Sequence, residues 1–158
     1  MSETTTPILN GYPVPGELTE ALIRKVVHDF YGRIRADELL GPIFDGNIDP
    51  DAWPEHLRKM CDFWSSVLLR TRRYDGRPLP PHLRIDGLEE AHFRRWLQLF
   101  KQTVEDVCPV EVADLFMDRA LRIAQSFRMA IAFNRGRNTM DVIPISAADL
   151  APGAKAHS

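Results

Sequence analysis

Apolar residues recur every three to four positions along most of the chain, a period that predicts helices. From Thr19, a side chain suited to capping a helix start, Leu22, Ile23, Val26, Val27, Phe30, Tyr31 and Ile34 fall on one face. A compact apolar corner follows at Leu39, Leu40, Gly41, Pro42, Ile43 and Phe44. There Gly41-Pro42 is expected to stop any helix, and Ile43 and Phe44 to pack inward. After the polar stretch 45–51, Trp53, Leu57, Met60, Trp64, Val67 and Leu68 predict a second helix ending near Leu69, with His56 and Phe63 flanking its broad apolar side.

Residues 70–87 carry Gly76, Pro78, Pro80, Pro81 and Gly87 and read as a long loop with room for one helical turn around His82. A third helix is predicted over about 88–107, with Leu88, Phe93, Trp96, Leu97, Phe100, Val104 and Val107 on one stripe. A fourth opens at Pro109, carries Val112, Leu115, Phe116, Ala120, Ile123, Ala124, Phe127 and Ile131, and frays at 134–136. Only 141–145 is β-prone, so the expected fold is all-α. Residues 1–17 form an extended lead-in, 18–136 the folded domain, and 137–158 a tail expected to be disordered.

Composition narrows the function. The 158 residues hold 20 Lys and Arg against 22 Asp and Glu, a formal charge of −2 that offers no bulk field to recruit nucleic acid or an anionic membrane. Apolar runs fall far short of a bilayer span, and the start has no signal-peptide pattern, so the chain is expected to stay in the cytoplasm. Cys61 and Cys108 fit no disulfide framework or zinc motif and are expected to be reduced, buried thiols.

Several polar groups sit among apolar neighbours. Tyr31 lies on the buried stripe of the first helix, His56 shares a face with Met60 and Phe63, and Trp96 is central to the third helix. Each brings a hydrogen-bond donor into the core, where an unmatched donor costs about 1–3 kcal/mol. Convergent donors therefore imply mutual satisfaction or a bound polar ligand. His82 follows a run of prolines that restricts its backbone. A flat apolar macrocycle with a central metal suits this set: an imidazole ligates one side, and donors face a diatomic ligand on the other. That group is haem b, with His82 as the proximal metal ligand and His56 distal. Arg70, Arg72, Arg73, Arg77 and Arg84 supply cations for its propionates, and Tyr74 a hydroxyl.

The stretch Phe30-Tyr31 through Gly41-Pro42-Ile43-Phe44 resembles group III truncated haemoglobins, as do Trp53-Pro54-Glu55-His56, Asp62-Phe63-Trp64, Tyr74 through Pro80-Pro81-His82, and His92-Phe93 through Trp96 and Phe100. The resemblance spans roughly residues 18–133. It implies a shortened globin fold, a two-over-two helical sandwich. It further implies that Tyr31, His56 and Trp96 line the distal pocket, Phe44 stacks on the haem, Met60 and Phe63 touch the ring, and His82 ligates a five-coordinate iron that binds O2, NO or CO. An NO- or peroxide-detoxifying activity is compatible with such a pocket. Turnover would draw electrons from a partner reductase, since no GxGxxG fingerprint is present.

Taken singly, Trp53, Trp64, Phe93 and Phe100 read as core packing, and His28 and His92 as solvated or capping. Two other readings compete: a four-helix protein binding a non-haem metal through His56, His92 and nearby carboxylates, and a cofactor-free interaction module docking through the Arg-rich loop. The first lacks paired Glu-x-x-His motifs. The second leaves Tyr31 and His56 unexplained.

Overall fold

Thr19 opens the first helix as its position predicts: its Oγ1 accepts from the Leu22 N–H at 3.2 Å, starting α1, Glu20–Ala36. A computed structural model of the chain describes residues 8–9, 12–13, 16–74, 76, 78, 85 and 88–150. Within them follow α2 (Gly41–Asn47), a 3-10 turn (Pro50–Ala52), α3 (Trp53–Leu69), α4 (Glu90–Val107) and α5 (Val110–Asn134). Glu89 and His92 cap α4 reciprocally, the imidazole Nδ1 accepting from the Glu89 N–H at 2.9 Å. That gives His92 the capping role its neighbours suggested.

The helices form the expected two-over-two sandwich: α1 lies against both α3 and α4, α4 packs along α5, and α3 meets α5 only lightly. Aromatic rings fill the centre. Phe100 stacks on Trp64 (5.1 Å, 16°) and on Trp96 (5.4 Å, 5°), while Phe30 meets Phe100 and Trp96 edge-on at 4.9 and 5.2 Å. Phe116 closes the group from α5. Such pairs contribute about 0.5–1.5 kcal/mol each beyond the area they bury.

Three expectations need correction. Gly41-Pro42 begins α2 rather than stopping a helix, because proline's fixed φ suits a first helical turn and its missing N–H is not needed there. Gly41 is demanded by proximity: a Cβ there would lie 2.8 Å from the carbonyl oxygen of Arg35. Ile43 and Phe44 are half-buried, not fully inward. The expected disordered tail is in fact folded as far as residue 150. A 3-10 turn at Thr139–Asp141 and another at Ala147–Leu150 lay it on α5 and α4, with Ile145 and Leu150 in the core. The β-prone stretch within it forms no strand. In the lead-in, a two-residue antiparallel pair joins β1 (Ile8–Leu9) to β2 (Tyr12–Pro13).

Polar ties fasten the ends of the layers. Arg128, only 5% exposed, holds Glu90 through a guanidinium–carboxylate pair with Nε at 3.0 Å, and Arg135 donates to the Leu88 carbonyl at 2.8 Å. The Cys61 and Cys108 thiols are half-buried, which pushes both up, Cys108 to about 11.

Asp37 joins the α1–α2 corner to α4. Its carboxylate accepts from the Leu39 and Leu40 N–H groups at 3.1 and 3.0 Å and pairs with Arg95 at 2.7 Å. Burial alone would raise its pKa, but the Leu40 N–H and the Arg95 guanidinium together hold it below the ordinary range. Its contribution is therefore full above the unfolded carboxyl pKa near 4 and is lost as pH falls below that value. Asp37→Ala should lose about 1–2 kcal/mol at neutral pH, and less in acid, in urea unfolding midpoints compared at pH 7 and pH 3.

Candidate functional site

Tyr31, Phe44, His56 and Trp53 form one aromatic cluster where α1, α2 and the start of α3 meet. Tyr31 is 6% exposed and contacts His56 perpendicularly at 5.1 Å, Phe44 at 5.9 Å and Trp53 at 6.0 Å. Phe30 links this cluster to Trp96, touching Tyr31 at 5.1 Å and Trp96 at 5.2 Å. Burial pushes the Tyr31 phenol well above its ordinary pKa, which already keeps it protonated at physiological pH.

Helical periodicity puts each member on an inward side, and the packing of α1 on α2 and α3 brings them together. Residues 53, 56, 60 and 63 share one side of α3, and Tyr31 follows Val27 by four positions on the buried side of α1. Beyond Met60, which packs half-buried on the core, the same side of α3 runs into an open, groove-like cavity of about 320 Å³. Phe63 and Val67 wall it from α3, Ile123 and Phe127 from α5, with Pro78 beside them and Arg119 and Arg122 at hand. It occupies the lightly packed α3–α5 boundary. A depression of about 440 Å³ at Ala36, Asp37, Glu38, Leu39 and Arg95 is larger but polar, and its Asp37 and Arg95 already pair with each other.

The segment leaving α3 is anchored. Arg70 ends the helix in the left-handed region at φ 58°. Buried Ser65 donates to Glu20 at 2.7 Å and bonds Thr71 at 2.8 Å, and Ser66 Oγ accepts from the Tyr74 N–H at 2.8 Å. The Tyr74 ring stands perpendicular to Phe63 at 5.3 Å, beside the cavity. Of the arginines expected to meet propionates, Arg73 pairs with Glu20 at 3.3 Å and Arg72 is exposed, in the left-handed region at φ 63°. Arg77, Arg84 and His82 lie outside the described residues.

Sequence reasoning missed two groups. Trp53, read as core filler, belongs to the Tyr31–His56 cluster; its placement three residues before His56 was the available signal. Arg119, Arg122, Ile123 and Phe127 line the cavity, but nothing in their spacing separates them from the core stripe of α5. Among the described residues, no three His, Cys, Asp or Glu side chains gather as a metal site, and His92 is engaged in capping.

The architecture is that of a truncated haemoglobin: the structure matches the crystal structure of group III truncated hemoglobin from Campylobacter jejuni with a TM-score of 0.70 and 32% identity, over 73% of this chain and 93% of that one. The sequence is 34% identical over 113 residues to group 3 truncated hemoglobin ctb of Campylobacter jejuni, spanning 70% of this chain and 89% of that protein. No family model matches the chain. The chain belongs to the group III truncated haemoglobins.

The family name implies a haem cofactor, and two features of this structure fit one. The cavity walls are mainly apolar, as a porphyrin face requires, and nearer the start of α3 a buried indole N–H, that of Trp53, has no partner among the described residues. Filling the cavity with Ile123→Trp should leave helical circular dichroism intact while reducing haemin uptake at least ten-fold, measured by absorbance titration.

Proposed function

We propose that the chain binds haem b in the α3–α5 cavity and takes up O2, NO or CO beside the Tyr31 cluster. The observation that carries this reading is the adjacency along one side of α3 of an apolar cavity at Phe63 and Val67 and a buried polar-tipped cluster at His56. Haem supplies an iron that binds such diatomic ligands, with His82 as its protein ligand.

The chain's own residues do the rest. Tyr31 presents a buried, protonated phenol whose O–H donates to the outer atom of a ligand and stabilises negative charge there. Trp96, stacked flat on Phe100, offers an indole N–H whose plane the core fixes. His56 lies at the edge of the cluster, half-buried, where it donates as well or swings aside as a gate. Phe44 and Met60 exclude water. Arg72, Arg73 and Tyr74 are the proposed propionate partners; Arg73 would exchange its exposed pairing with Glu20 for a carboxylate of the ligand. Among the described residues no helix is long and apolar enough to cross a membrane, and a cytoplasmic location with electrons drawn from a partner reductase completes the reading.

Absorption spectra of the haemin-treated protein test this directly. An intense Soret band that shifts when CO is added after reduction is expected, and a chain that stays colourless would refute the proposal. Tyr31→Phe should retain haem while O2 dissociates about ten-fold faster, as loss of one strong donor to a charged acceptor implies. His82→Ala should lose or loosen haem; unchanged retention would reject the proximal assignment.

A further inference from the structure

Among the described residues, core packing leaves the Trp53 indole donor over. Trp53 is 3% exposed, and its Nε1–H is buried with no hydrogen-bond partner among the described residues. Protein interiors seldom tolerate this, because an unmatched buried donor costs about 1–3 kcal/mol, and each exception calls for a physical reason, an acceptor brought by a bound guest among them. The surroundings narrow what that acceptor is. Over the ring face, at 4.4 Å, lies the Arg35 guanidinium, which only donates and cannot receive the indole proton. Phe44, roughly parallel to the indole at 6.4 Å, offers no lone pair. Tyr31 at 6.0 Å and His56 at 5.4 Å carry acceptor atoms, yet neither receives this N–H.

We propose that the Trp53 N–H is a further distal donor, held for an oxygen atom of the diatomic ligand that Tyr31 also contacts; this rests on the haem reading above. Three observations converge on it. The indole is packed by Tyr31 and His56, which face the ligand in that reading, and by Phe44, which keeps water out there. Its position at the first turn of α3, with Pro54 next, gives it a rigid base. The cation above its ring withdraws electron density, which makes the N–H a stronger donor than an ordinary indole. Unlike an imidazole, an indole keeps its proton throughout the physiological pH range, so this donor does not switch off.

Trp53→Phe keeps a ring in place and removes only the N–H and part of the indole. In haem-loaded protein, the C–O stretch of the CO complex should move to higher frequency and O2 dissociation should accelerate about five-fold, the loss of one neutral hydrogen bond. Should the variant fold poorly, wild-type protein with 15N-labelled tryptophan gives a second reading: of three indole N–H resonances, that of Trp53 should shift when CO is added to the reduced form. An unchanged C–O frequency and O2 release rate with an intact Soret band would overturn the proposal, as would a Trp53 resonance indifferent to CO. Absence of any Soret band would instead strike at the haem reading, and at this inference with it.

Discussion

The stacking of Phe100 against both Trp64 and Trp96 is the contact on which the rest of the molecule depends. It joins α3 to α4, and Phe30 and Phe116 bring α1 and α5 to the same ring. One aromatic centre thus sets the spacing of four helices. Because interiors pack at crystal-like density, rings locked in this way have little freedom to reorient. Tyr31 and Trp96 both lean on Phe30, so the orientation of each is inherited from the core rather than from a flexible loop.

Stability and chemistry are divided between the two ends of α3. Its beginning carries Trp53 and His56 into a buried aromatic cluster, while its second half opens onto an apolar cavity where α3 and α5 part. A helix that is apolar over much of its circumference can serve both, since one side fills the core and an adjoining side remains for a guest. The Tyr31 phenol is a donor at neutral pH in any setting; burial raises its pKa further, and its fixed place among packed rings is what the fold contributes.

Much of this was legible in the sequence because helical period reports which residues share a face. The four long helices and the buried face that carries Tyr31 follow from it, and the cap at Thr19 from its residue type; that Tyr31, Phe44 and His56 belong to one site was implied by the resemblance to group III truncated haemoglobins. Other features lie beyond that signal. Gly-Pro at 41–42 has the composition of a helix stop, and only the surrounding chain decides that Pro42 takes a first-turn position instead. Residues 137–150 mix polar and apolar positions with no helical period, and the order of that segment rests on Ile145 and Leu150 finding room on the bundle, a tertiary effect. Trp53 resembles any core tryptophan in sequence; what separates it is whether its N–H meets an acceptor, which depends on atoms from α1 and α2. Ile123 and Phe127 continue the core stripe of α5 and differ from it only in facing a gap.

The central claim is that a porphyrin lies within the helical sandwich, close to the aromatic centre. Haemin titration followed at once by Soret absorbance and tryptophan emission tests it most directly, because energy transfer from indole to haem falls steeply with distance. The account predicts that emission is quenched in step with the growing Soret band and that both end at one equivalent per chain. A Soret band that grows without quenching, or without a stoichiometric end point, would place the pigment on the outside of the protein and contradict the account.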